Sequence, residues 1–191
     1  KSGDIFKQPY TQLVIATGAI PIVPKILGVE HKNIFTLRNV EDGLRIKELL
    51  SSGRVKRAAV LGAGFIGLEV SEALRNWGIE VTVFEMLPAI LPQIDKEFAI
   101  LVEDELQKNS VKLYKNTKVV EFQASDENVI KILTEDGRTF ESDMVIASVG
   151  VKPNTGLARN ANISIGPLGG IAVDKYMRTS APYVWAAGDC T

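Results

Sequence analysis

The segment from Arg57 to Glu85 constrains this chain more than any other. Ala58-Ala59-Val60-Leu61 is a short apolar run closed by Gly62-Ala63-Gly64-Phe65-Ile66-Gly67. Apolar residues Ile66, Val70, Ala73, Leu74 and Trp77 then recur at helical spacing along a helix expected from Leu68 to Trp77, ended by Gly78. Ile79, Val81 and Val83 next alternate with Glu80 and Thr82, and Glu85 completes this second strand 23 positions after Gly62. A strand, a GxGxxG turn, a helix and a strand ending in an acid form a β-α-β unit. Such a unit needs a parallel sheet, because its strands are joined by a crossover helix rather than a hairpin.

Each residue of the turn has a physical task in binding a dinucleotide. Gly62 permits the tight turn, Gly64 leaves room for a pyrophosphate to approach the backbone, and Gly67 lets the helix sit close to the sheet. The first helical N–H groups have no intrahelical partner and face an anion with partial positive charge. The same turn also serves as a plain strand-to-helix junction without a ligand. Glu85 favours the nucleotide reading, because an acid at this spacing accepts from ribose hydroxyls. A 2′-phosphate beside that carboxylate meets like-charge repulsion, and Met86-Leu87-Pro88-Ala89 contains no Lys or Arg to reverse it. NAD(H) is therefore expected over NADP(H), unless a basic residue arrives from another segment.

The rest of the chain fits around this unit. Leu13 to Ala16 reads as a buried strand closed by Thr17-Gly18, and Pro21 and Pro24 mark a connector without regular structure. Val40 to Leu50 is helical and stops at Ser51-Ser52-Gly53. Asp95 is placed to cap a helix from Lys96 to about Lys108, with Phe98, Leu101, Val102 and Leu106 on its apolar face, and Val111 to Tyr114 is a third strand. Thr117 to Gln123, Val129 to Leu133 and Thr139-Phe140 have hairpin spacing and form an antiparallel meander. Met144 to Val149 is an unbroken apolar run suited to a central strand, closed by Gly150. Beyond it, Ile171 to Val173 and Tyr183 to Ala187 read as strands of a stretch too short for its own core. The expected class is α/β, a Rossmann-like parallel sheet with helices and an antiparallel β-meander.

Composition removes several functions. The chain has 22 Lys+Arg against 23 Asp+Glu, a net charge of -1, which lacks the positive field that nucleic acid requires. One cysteine, Cys190, allows neither an intrachain disulfide nor a redox pair, and reads as a small buried residue. One histidine, His31, excludes a multi-histidine metal site, and its polar surroundings make it a solvated loop residue. With no run of about 18 apolar residues, a membrane span is not expected and a cytoplasmic location is. Trp77 and Trp185 read as packing residues. Asp189 fits a turn-forming Asp and a ligand-facing Asp equally well.

Four segments in order, YTQLVIATGA at 10–19, VLGAGFIGLEVSEAL at 60–74 with Glu85, VIASVGVKPN at 145–154 and YVWAAGD at 183–189, resemble the FAD-dependent pyridine nucleotide-disulfide oxidoreductases. The branch with NADH oxidase, NADH peroxidase and coenzyme A-disulfide reductase is the most similar. The resemblance covers nearly the whole chain. It implies residues 1–21 and 151–191 as partial FAD-domain segments and residues 22–150 as an NAD-binding domain, passing hydride from NADH to FAD.

By the same resemblance Gly62, Gly64, Phe65, Ile66 and Gly67 line NAD, Glu85 holds the adenosine ribose and Gly150 passes near the nicotinamide. Ala16-Thr17-Gly18 belongs to the FAD domain, and Asp189 hydrogen-bonds the ribityl chain. Phe65 stands where the family has an aromatic gate over the flavin, Glu69 resembles a glutamate reaching toward flavin and nicotinamide, and Arg38 an arginine near FAD. These make Phe65 and Glu69 the candidate catalytic residues. The chain starts without Met and stops just after Gly188-Asp189, so it is expected to be a central fragment. The FAD pyrophosphate loop and redox cysteine are expected before Lys1 and a dimerisation domain after Thr191, the intact protein being a homodimer. The fragment itself is expected to lack FAD and turnover. A non-catalytic dinucleotide-sensing module is the competing reading.

Overall fold

The structure is a computed structural model and describes Ile5, residues 7–126 and residues 129–191. The chain runs through β1 (Leu13–Ile15), β2 (Ala19–Pro21), β3 (Ile34–Phe35), α1 (Val40–Ser51), β4 (Arg57–Leu61), α2 (Phe65–Asn76) and β5 (Glu80–Phe84). It continues through α3 (Lys96–Lys108), β6 (Lys112–Tyr114), β7 (Val119–Asp126), β8 (Val129–Thr134), β9 (Thr139–Ser142) and β10 (Met144–Ala147). Then follow β11 (Val151–Pro153), α4 (Gly156–Asn160) and β12 (Val184–Ala186). Two compact units result: Pro21–Gly150, and the chain up to Ile20 together with Val151–Thr191.

In the larger unit a five-stranded sheet has the order β3-β10-β4-β5-β6, and every pairing is parallel. Residues Ala58 to Leu61 and Val81 to Phe84 are adjacent and parallel, as the β-α-β pattern requires. The side-chain period of two divides each strand between the sheet's faces. Ala58, Val60, Val81, Val83, Met144 and Ile146 pack with Leu50, Val70, Leu74 and Ala99 of the helices. Ala59, Leu61, Phe84 and Val145 pack instead with Val119, Phe122, Ile130 and Ile132 of the meander, whose strands run β7-β8-β9 antiparallel. The sheet lies between a helical layer and an antiparallel layer.

The smaller unit pairs β1 with β12 in parallel and β2 with β11. Its buried cluster unites Ile15 with Ala158, Ile163, Ile171, Val184, Ala186 and Cys190, so the C-terminal stretch, expected to lack a core, gains one by adding the early strand. Ala19–Pro21, expected to be irregular, is a strand: Pro21 stands at its end, where a missing N–H costs little. Ile171 makes only an isolated bridge to Ile165, and Val173 continues no strand.

The helices differ from the sequence reading in detail. Helix α2 begins at Phe65, a turn's length before Leu68, and buries Gly67, Val70, Ser71 and Leu74. That stripe is centred on a glycine, so apolar side chains alone misplace it: Ile66, Ala73 and Trp77 are exposed. In α3 only Ala99 is fully buried, with Val102 and Leu106 packed beside it, while Phe98 and Leu101 point outward at 60% and 63% exposure. Asp95 stands at the N-cap of α3 without a side-chain cap bond. His31 is half-buried rather than solvated, its Nδ1 accepting the Asn33 N–H, and burial with the nearby Lys32 lowers its pKa.

Ile146→Ala, at a fully buried position, is expected to cost about 2 to 5 kcal/mol of stability. Phe98→Ala is expected to stay within about 1 kcal/mol despite the larger deletion, because its ring is already in water. Denaturant unfolding of both variants checks the face assignment.

Candidate functional site

The order β3-β10-β4-β5-β6 makes the C-terminal ends of β4 and β10 the place where the chain reverses its direction of travel across the sheet. From β4 it moves to β5 and β6 on one side, while β10 and β3 lie on the other. Ligands of open parallel sheets bind in the crevice at such a point. Two loops emerge there, Gly62 to Gly64 after β4 and Ser148 to Gly150 after β10.

Their contact is tight enough to dictate residue type. Gly62 has φ +93°, and a Cβ there would lie 2.6 Å from the Ser148 carbonyl oxygen. A Cβ on Gly67 would overlap the Gly62 carbonyl oxygen and come within 2.7 Å of Ser148 Oγ. Ser148 Oγ donates to the Leu61 carbonyl at 2.7 Å, and Ser71 Oγ donates to the Gly67 carbonyl at 2.7 Å. Helix α2 is thereby pressed onto the end of β4 by contacts that admit no side chain.

Gly64 is different. It is the N-cap of α2 with φ -83°, within reach of any residue, and no atom lies within 4 Å of where its Cβ would stand. Its carbonyl accepts the Leu68 N–H at 3.0 Å, but with no side-chain cap bond it offers nothing to the N–H groups that precede Leu68 in the first turn. The protein's own packing requires glycine at 62 and 67 but not at 64.

Glu85 closes the site from the next strand. It is buried at 7% exposure, its Oε2 accepts the Ala63 N–H at 2.8 Å and its Oε1 accepts the Leu87 N–H at 2.8 Å. The carboxylate ties the glycine turn to the loop after β5, a task the spacing argument does not reveal. Ser148 is another residue that the motif reading misses: the run 144–149, read as unbroken and apolar, contains this one hydroxyl, which is the signal.

The structure thus brings Gly62, Gly64, Gly67 and Glu85 together with the loop that leads to Gly150, which has φ +112°. Phe65, Ile66 and Glu69 are exposed on α2, and Phe65, 56% exposed, does not fill space between helix and sheet. Arg38 is exposed before α1, its N–H donating to Asp42 Oδ2 in the capping box of that helix. In the smaller unit Thr17 Oγ1 donates to the Asn154 carbonyl at 2.5 Å and the Asn154 N–H to the Gly18 carbonyl at 2.8 Å. Ala16 is exposed just before that turn. Gly188 has φ +85°, Asp189 is exposed, and Cys190 is fully buried against the Ile15 and Ala187 carbonyls.

The family described as pyridine nucleotide-disulphide oxidoreductase matches residues 1–191. The chain belongs to that family. It is 37% identical over its whole length to an NADH oxidase of Methanocaldococcus jannaschii, of which it covers 42%. A NAD-dependent persulfide reductase from A. fulgidus shares 42% identity and superposes with a TM-score of 0.89 over 95% of this chain and 33% of that one. A water-forming NADH oxidase from Lactobacillus brevis, solved with NADH, shares 32% identity with a TM-score of 0.87 over 96% of this chain and 40% of the other. The chain therefore spans about two fifths of the curated relative's length. No helix among the described residues is long and apolar enough to cross a membrane, and none of their His, Cys, Asp and Glu residues cluster to hold a metal.

Gly62→Ala and Gly67→Ala are expected to lower thermal stability strongly, by about 2 kcal/mol or more, since each forces backbone apart. Gly64→Ser is expected to leave stability within a few tenths of a kcal/mol, because Ser and Gly are nearly equivalent N-caps. Thermal melts of the three variants check the distinction.

Proposed function

We propose that the Pro21–Gly150 unit binds NADH at the Gly62–Gly67 turn of a flavin-dependent oxidoreductase that passes hydride from NADH to FAD. The observation that carries this reading is the open space at Gly64. A glycine that the fold does not need, at a helix start with unsatisfied donors, is accounted for by a phosphate that must reach the backbone. The names of the relatives support the same reading: one is an NADH oxidase, and another neighbour was solved with NADH.

In this reading Gly62, Gly64 and Gly67 shape the cradle, and the Phe65 and Ile66 N–H groups donate to the pyrophosphate. Glu85 presents its remaining lone pairs to the adenosine ribose, and Gly150 borders the nicotinamide end. Residues 22–150 are then the NAD-binding domain, with residues 1–21 and 151–191 as parts of an FAD domain. FAD, when bound, supplies the hydride acceptor. Thr17-Gly18 and the exposed Asp189 are the residues of this chain that would hold it, Asp189 accepting from a ribityl hydroxyl. Phe65 and Glu69 share a face of α2 one turn apart and are assigned to the nicotinamide and flavin side. A homodimer in the cytoplasm completes the proposal for the intact protein.

Fluorescence titration with NADH tests the site. The unmodified protein is expected to bind, and Gly64→Ser to bind at least about tenfold more weakly with its melting temperature unchanged; equal affinity would overturn the reading. NADH is expected to outperform NADPH in kcat/KM of the intact enzyme, and Glu85→Ala to narrow the gap. Because Glu85 also holds two backbone N–H groups, that variant is expected to weaken both nucleotides, NADH by about tenfold or more.

Phe65→Ala is expected to keep the fold nearly as stable, since the ring is over half exposed, while flavin reduction by NADH changes rate. Rapid mixing beside thermal unfolding reads both. An unchanged reduction rate with a large stability loss would remove the gate.

A further inference from the structure

The segment hydrogen-bonded to Glu85 through its backbone carries a cation, Lys115, that Met86-Leu87-Pro88-Ala89 lacks. The Glu85 N–H donates to the Tyr114 carbonyl at 2.9 Å, extending the parallel ladder in which Val83 pairs with Leu113 and Phe84 with Tyr114. β6 ends at Tyr114, and Lys115 follows it in a bend before the chain returns to the end of β5. Its partner shows its face: the Lys115 ammonium reaches Glu103 of α3, on the helical side of the sheet, where Leu113 also packs. The Glu85 carboxylate is turned toward the same side, accepting the N–H of Ala63, a residue of the helical-side cluster. The Asn116 N–H donates to the Leu87 carbonyl at 3.1 Å and the Thr117 N–H to the Glu85 carbonyl at 2.9 Å. Residues 85–87 and 115–117 therefore make one continuous wall.

The Lys115 ammonium is already engaged. Its Nζ lies 2.7 Å from Oε1 and 2.6 Å from Oε2 of Glu103 on α3, with side chains 34% and 24% exposed. A cation bridging both oxygens of a half-sheltered carboxylate has its charge cancelled locally and its flexible stem held down. Lys115 is thus a basic residue whose charge is taken up by Glu103.

We infer that the Glu103–Lys115 pair sets nucleotide choice: Glu103 keeps Lys115 from a 2′-phosphate, so the ribose end of the site stays negative and takes the unphosphorylated dinucleotide. Lys115 is thus a latent phosphate ligand and Glu103 the specificity-determining residue that masks it. The inference rests on the nucleotide reading of the Gly62–Gly67 turn and adds to Glu85 a second determinant, from helix α3.

Dissociation constants for NADH and NADPH, measured on the intact protein and on Glu103→Gln, Lys115→Gln and the double variant, test it. Glu103→Gln is expected to shift the affinity ratio toward NADPH by about tenfold, a shift that shrinks as salt rises and disappears in the double variant. Lys115→Gln alone leaves the Glu103 charge uncompensated and is expected to move the ratio the other way, which keeps the test alive if Glu103→Gln does not fold. A ratio unchanged in both single variants, or equal changes for both nucleotides, overturns the inference while the binding site stands. Failure of the unmodified protein to bind NADH removes the site reading and this inference together.

Discussion

Helix α2 can lie where it does only because no side chain separates Gly67 from the Gly62 carbonyl and Ser148. That approach determines the start of the helix, the tilt of its first turn toward the end of β4, and the contact between the loops after β4 and β10. A single methylene group at either glycine would push the helix off the sheet and open the crevice where the strand order reverses. The buried stripe of α2 follows from the same contact, since it is centred on Gly67 and excludes Ile66 and Trp77. Glu85 then secures the turn from the neighbouring strand by accepting the Ala63 N–H.

The β-α-β core was legible because strand periodicity, glycine spacing and the acid at the end of β5 are local signals that agree with each other. The meander was equally legible, because Glu135-Asp136-Gly137 separates two alternating runs by the length of a hairpin turn. Helix faces were less so. Phe98 and Leu101 in α3 carry helical spacing as convincingly as Val102, and only the position of the sheet decides which stripe is covered. Likewise, Ala19–Pro21 becomes a strand through pairing with Val151–Pro153, a partner more than a hundred residues away that no local pattern announces.

At the site, the motif named the glycines but could not say which the fold requires. Building a side chain onto each separates Gly62 and Gly67, held by the protein's own backbone, from Gly64, where the protein leaves room for something else. The sequence also showed Glu85 as a ribose acceptor without its two backbone donors. The pair of Lys115 with Glu103, twelve residues earlier on α3, has no signal in the sequence; the fold makes it, and backbone bonds of residues 114–117 to Glu85 and Leu87 bring Lys115 to the end of β5. Functional meaning here comes from the difference between what packing demands and what it leaves open.

The central claim is that the start of α2 is a phosphate cradle bounded by Glu85. Backbone amide NMR of the isotopically labelled protein titrated with NADH tests it most directly. The account predicts the largest shift changes at Gly64, Phe65, Ile66 and Leu87, with smaller ones at Ser148 to Gly150. Saturable binding that leaves those amides unmoved and shifts a different surface would contradict it.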